Sequence, residues 1–235
     1  MKEYLFDTLD TLNTALTNSI KADISGQLVA SGACSIAVGG GRTPIALLNQ
    51  LSDVEIDWAN ITITLTDERW VETDQPESNE RMVKQHLLKN KAASASFVPL
   101  KTAYRTAKSS EFSLDATLHE QLPSVDFVVL GMGADGHFAS LFPDTEELAD
   151  GLDPENPMRC IATHGPVEPI ERMSLTLSML LTAKKIYLLI CGDDKLAVYR
   201  RACLTDQPES CSLPISAVLK QSIVPVELYW SPASS

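Results

Sequence analysis

Asp135 and His137 stand two residues apart, framed by Gly131, Gly133 and Gly136, directly after the apolar run Val-Asp-Phe-Val-Val-Leu of 125–130. An imidazole titrates near neutrality and can take a proton from water, and a neighbouring carboxylate can orient the ring or raise its basicity. The bland alternative is a turn histidine hydrogen-bonded to backbone. Three glycines at the end of a buried strand favour the functional reading. Gly131-Met132-Gly133-Ala134-Asp135-Gly136 also fits the G-x-G-x-x-G dinucleotide pattern, but the context contradicts that use. Asp135 would face a pyrophosphate of like charge. Pro143 breaks any helix within about two turns, and no strand ending in an acidic residue follows at the required distance.

Gly39-Gly40-Gly41-Arg42-Thr43-Pro44 follows one short strand and opens a helix. Glycines let backbone N–H groups approach an anion, and a helix N-terminus adds the positive end of its dipole, so the segment reads as a phosphate cradle without the Lys of a nucleotide P-loop. The competing reading is a tight turn that needs flexible φ. Asp67-Glu68-Arg69 ends another strand: a carboxylate for acid–base work beside a guanidinium for an oxyanion, or else an exposed turn. Arg172 precedes an apolar stretch. Lys195 lies in the first turn after Gly192, where a helix dipole disfavours a cation, which points to an anionic ligand over a solvated surface lysine. His86, His119 and His164 have no metal-ligand spacing with another His or Cys, and no metal site is expected. There is no serine nucleophile elbow and no paired Cys/His motif.

These clusters need elements that bring them to one edge. Apolar residues at Leu12, Leu16, Ile20, Ile24 and Leu28 predict a helix over 9–31. Strands are predicted at 35–38, 61–65, 125–130, 185–191 and 226–230, with a short one at 158–162. Helices are predicted from Thr43-Pro44 to Leu51 (Thr43 as N-cap), over 78–88 (Ser78 or Asn79 as cap), over 113–121 and over 193–203. Residues 143–158 read as a surface excursion, and 174–181 as a strand followed by a helical turn. Alternating strands and helices predict one α/β domain over 1–235, Rossmann-like, with a mostly parallel sheet and helices on both faces. Such sheets bind ligands at the carboxyl ends of their strands. Four of those ends carry the clusters 39–44, 66–70, 131–137 and 191–195.

The 235 residues are 44% hydrophobic, enough for a substantial core. With a net charge of −12 and 6% aromatic residues there is neither a basic face for duplex nor a set of stacking platforms for single strands, so nucleic acid is not an expected partner. An anionic small molecule would have to be met by a few local cations against the global field. Five cysteines (Cys34, Cys160, Cys191, Cys203 and Cys211), several within apolar runs and none in CxxC spacing, fit reduced core thiols of a cytoplasmic protein. No signal-peptide segment is evident at the N-terminus, and no apolar run approaches the roughly 20 residues of a membrane span.

Taken in order, Gly-Gly-Arg-Thr-Pro (40–44), Thr-Asp-Glu-Arg-Trp-Val (66–71), Ser-Asn-Glu (78–80), Leu-Gly-Met-Gly-Ala-Asp-Gly-His-Phe-Ala-Ser-Leu-Phe-Pro (130–143), Arg172 with its Ser-Leu-Thr, and Gly192-Asp-Asp-Lys195 resemble the 6-phosphogluconolactonases of the pentose phosphate pathway. Phe138 stands where that family commonly has Thr, and Gly39 where it commonly has Ser. The resemblance implies a sugar-phosphate lactone as substrate, no cofactor, and a monomer or weak homodimer. It also implies His137 as the base, helped by Asp135 and Asp67, with Gly40, Gly41, Arg42, Thr43, Arg69, Arg172 and Lys195 around the substrate. Glucosamine-6-phosphate deaminases share the fold and similar motifs. They carry a catalytic Glu five residues after the motif His, where this chain has Phe142, and an aromatic residue where it has Arg69. A non-catalytic sugar-phosphate sensor on the same fold would lack the acid–base pair or add a DNA-binding segment. Here the pair is present, and the 34 residues before the first predicted strand show one helix without a helix-turn-helix pair.

Overall fold

The computed structural model describes residues 1–204 and 213–233. Seven strands form one sheet: β1 (Lys2–Leu5), β2 (Cys34–Val38), β3 (Ile61–Leu65), β5 (Ser96–Phe97), β6 (Phe127–Leu130), β9 (Lys185–Cys191) and β10 (Val226–Ser231). Their order is β1-β10-β9-β6-β2-β3-β5, and every neighbouring pair is parallel. All four residues of β6 and the middle five of β9 are buried. Successive side chains of a strand point to opposite faces, so such runs are stable only where both faces are covered. The helices provide that cover: α1 (Leu9–Ser31), α2 (Ile45–Ser52), α3 (Asn79–His86), α4 (Ala107–Gln121), α5 (Leu148–Leu152), α6 (Leu177–Leu180), α7 (Asp193–Ala202) and α8 (Ile215–Lys220). Leu12, Leu16, Ile20 and Ile24 of α1 are fully buried, as their spacing predicts.

A second, three-stranded antiparallel sheet, β4 (Asp67–Arg69), β8 (Glu171–Leu175) and β7 (Cys160–His164), was not foreseen. It rules out the alternative of an exposed turn at Asp67-Glu68-Arg69, because these residues form β4 and Asp67 and Glu68 are buried. Arg172 likewise lies inside β8 rather than ahead of it. Three further expectations change. An exposed edge strand, β1, precedes the first helix and, among the described residues, pairs only with β10. Helix α4 starts at Ala107, capped by Thr106 in a reciprocal box with Ser109. Thr43 does not cap α2: Pro44 holds the cap position with no side-chain bond, and the Ile45 N–H turns back to the Arg42 carbonyl instead. The 143–158 excursion contains α5. Cys34 and Cys160 are buried, and burial pushes the Cys34 thiol up to about 12. Cys211 lies outside the described residues. No helix among the described residues is long and apolar enough to cross a membrane.

Strand order reverses at β2: the chain runs outward to β3 and β5, then returns to place β6 on the other side of β2. At such a switch point the loops leaving neighbouring strands part and open a crevice.

Candidate active site

The crevice is a cavity of about 430 Å³ lined by residues 39–44 after β2, by Thr66, Asp67 and Arg69, by Gly131, Met132, Gly133 and His137 after β6, and by Arg172 and Lys195. The four predicted strand-end clusters therefore meet in one place. Of the predicted site residues, all but Asp135 line the cavity, and Asp135 is bonded to one that does.

The Asp135 carboxylate Oδ1 lies 2.6 Å from His137 Nδ1 and accepts the His137 backbone N–H at 3.1 Å. Burial raises the Asp135 pKa, but the hydrogen bond and charge of His137 outweigh it and hold the carboxyl below its ordinary value. With Nδ1–H donating to the carboxylate, Nε2 carries the free lone pair. Gly133 makes this geometry possible, because a Cβ there would lie 2.2 Å from both Cε1 and Nδ1 of the imidazole. The Gly133 N–H closes the turn onto the His137 carbonyl at 2.9 Å.

Asp67 is held by two hydroxyl donors, Thr66 Oγ1 at 3.1 Å and Ser140 Oγ at 2.7 Å. The Ser140 N–H donates to Ser174 Oγ at 3.2 Å, so the loop after His137 is tied to β4 and β8. Ala139, at φ 47°, makes the turn that brings Ser140 there. A non-glycine residue in the left-handed region is costly and tends to occur where function requires it.

Glu68, fully buried, anchors β4 to the start of α3. Its Oε1 accepts the N–H groups of Arg69 and Asn79, both at 2.7 Å; its Oε2 accepts the Glu80 N–H at 2.7 Å and the Ser78 hydroxyl at 3.1 Å. Burial pushes its pKa up against the pull of these four donors. Asn79 Nδ2 donates to the Asp67 carbonyl at 2.8 Å, and its side chain fills the space a Cβ on Gly40 would need. The Gly40 turn thus packs through the Asn79 side chain onto the strand that carries Asp67.

Four cations face this space, and none forms a salt bridge among the described residues: Arg42, Arg69, Arg172 and Lys195. Arg69 and Arg172 are directly opposite each other on β4 and β8. Both Nε atoms are buried without an acceptor. Arg172 is only 5% exposed; burial and the facing Arg69 guanidinium hold its pKa below the ordinary arginine value, against the pull of Asp67 and Glu68. Beside them, the N–H groups of Gly40, Gly41, Arg42 and Thr43 have no protein acceptor among the described residues. In a chain of net charge −12, cations without salt bridges gathered beside free backbone donors have the chemistry to receive an anion.

Sequence reasoning missed Ser140, and Pro166 and Val167 of the β7–β8 hairpin, which complete the wall. Ser140 carries no signal of its own, since its role depends on Ala139 adopting a positive φ. Gly165-Pro166 is a turn signal that could have marked the hairpin, but it carries no chemistry.

The sequence model described as glucosamine-6-phosphate isomerases/6-phosphogluconolactonase matches residues 7–230. A 6-phosphogluconolactonase of Rhizobium meliloti is 37% identical over 231 residues, covering 97% of this chain and 98% of that protein. One from Pseudomonas putida is 36% identical over 222 residues, covering 94% and 89%. A crystal structure of a 6-phosphogluconolactonase from Shewanella baltica superposes with a TM-score of 0.92 at 40% identity, covering 98% of this chain and 97% of that one. The chain belongs to the glucosamine-6-phosphate isomerase/6-phosphogluconolactonase family.

Proposed function

We propose that this protein hydrolyses 6-phospho-D-glucono-1,5-lactone to 6-phospho-D-gluconate, the lactone-opening step of the pentose phosphate pathway, with His137 as general base. The observation that carries the reading is the meeting, in one cavity, of a carboxylate-tethered imidazole and four cations that form no salt bridge among the described residues. The phosphate lies against the N–H groups of Gly40, Gly41 and Thr43, with Arg42, Arg172 and Lys195 supplying charge. Binding energy from this remote group positions the reacting carbonyl. His137 Nε2 takes a proton from water as the water oxygen bonds to C1. The carbonyl electrons move onto oxygen, and Arg69 or a backbone N–H stabilises the oxyanion. Collapse of that intermediate breaks the bond from C1 to the ring oxygen, which takes the proton back from His137. Asp135 holds the imidazole in the required tautomer, and Asp67 orients sugar hydroxyls.

Deamination of glucosamine 6-phosphate is disfavoured by Phe142, a cavity residue that cannot transfer a proton at the position where deaminases carry a glutamate. Two assays separate the readings: hydrolysis of freshly generated lactone, corrected for its spontaneous opening, and ammonia release from glucosamine 6-phosphate. Lactone turnover without ammonia is expected. Ammonia release without lactone turnover would overturn the proposal.

A further inference from the structure

We infer that Phe142 is a positioning residue for His137: its ring fixes the plane of the imidazole and favours the imidazolium that forms when water is deprotonated. The inference rests on His137 acting as the base. The two rings lie with centroids 4.4 Å apart at an interplanar angle of 41°. Phe142 is buried, yet it stands outside the contiguous hydrophobic core that takes in its neighbours Phe138 and Leu141. Its ring partner is His137.

A single hydrogen bond restrains distance and direction but leaves a ring free to turn about the donor–acceptor line. The Asp135–Nδ1 bond alone would therefore leave the direction of Nε2 unset. Two contacts remove that freedom. Gly133 provides a notch that the imidazole occupies, and Phe142 lays its ring against the imidazole at a 41° tilt. Phe142 is itself held: its carbonyl accepts the Thr145 hydroxyl at 3.1 Å, and the turn before it is fixed by the Ser140–Asp67 bond. A cation within about 6 Å of an aromatic centroid is attracted to the ring face. His137 becomes such a cation only after it accepts the proton, so the contact is stronger on the way to the intermediate than with free enzyme, as a rate-enhancing contact must be.

The test compares Phe142→Leu and Phe142→Tyr with the unsubstituted protein by steady-state kinetics and by NMR of the His137 Nδ1–H. Leucine retains apolar bulk and removes the aromatic face; tyrosine restores the face. Phe142→Leu is expected to lower kcat about three- to tenfold with KM within about twofold, and to speed exchange of the Nδ1–H with water. Phe142→Tyr is expected to recover most of the lost kcat. Unchanged kcat and Nδ1–H exchange in Phe142→Leu would overturn the inference. So would a broad, rapidly exchanging Nδ1–H in the unsubstituted protein, a measurement that needs no variant to fold. His137→Ala, run alongside, separates the two levels: an inactive His137→Ala with a fully active Phe142→Leu overturns only the positioning role, whereas a fully active His137→Ala overturns the base as well.

Discussion

Replacing Arg172 with methionine should stabilise the fold while weakening the enzyme. Arg172 is 5% exposed, faces Arg69 across the β4–β8 pair and has a buried Nε without an acceptor. Its only hydrogen bond among the described residues is a long one, 3.4 Å, from Nη2 to the Val167 carbonyl. Methionine replaces the aliphatic stem of the arginine, carries no charge and leaves no unmet donor. Asp67 keeps its bonds to Thr66 and Ser140 without the guanidinium. Removing a poorly satisfied buried charge in favour of apolar packing returns about 1–3 kcal/mol. For a domain of this size that corresponds to a rise in Tm of roughly 2–12 °C. The functional effect has the opposite sign. A charge-assisted contact to a phosphate is worth about 1.5–3 kcal/mol, so KM should rise roughly 10- to 150-fold with a smaller change in kcat. Thermal unfolding without ligand and steady-state kinetics measure the two effects separately. A lower Tm with an unchanged KM would refute the reasoning, because Arg172 would then be a structural residue and not part of an anion site.

Two further outcomes follow from the same geometry. Glu68→Ala strands the Arg69 N–H of β4 together with the Ser78 hydroxyl and the Asn79 and Glu80 N–H groups at the start of α3, so it should cost at least about 3 kcal/mol in urea unfolding; a loss under about 1 kcal/mol would show that Glu68 does not anchor β4. The Asp135 carboxyl lies below its ordinary value in the folded protein, so the stability it confers is present above the unfolded pKa and is lost as pH falls through the folded one. The stability advantage of the unsubstituted protein over Asp135→Asn should therefore shrink between pH 5 and pH 3, roughly either side of the ordinary aspartate value; an advantage that grows over this interval would contradict the pairing.

Much of the site was legible because parallel sheets announce themselves. The strands of 125–130 and 185–191 read as apolar runs, and their carboxyl ends carried the glycines, the imidazole and the lysine that the structure brings together. What escaped had weak local signal. β1 is exposed along its length and takes its order from pairing with β10. The first half of α4 buries Ser110 and Glu111, which hides its apolar stripe. β4 is three residues long, and its carboxylates looked like solvent-facing groups because three of the four donors that satisfy Glu68 lie 10 to 12 residues further along the chain. The opposition of Arg69 and Arg172 depends on antiparallel register between segments about a hundred residues apart, which no local pattern encodes.

The central claim is that one imidazole, held by Asp135 in a cavity lined by cations without salt bridges, activates water. The most direct measurement is kcat for hydrolysis of fresh lactone by His137→Ala, corrected for spontaneous opening, with the fold checked by circular dichroism. General-base catalysis is typically worth about a hundred- to ten-thousand-fold, and a loss of that order in kcat is predicted. A folded His137→Ala that turns over lactone at the unsubstituted rate would contradict the account.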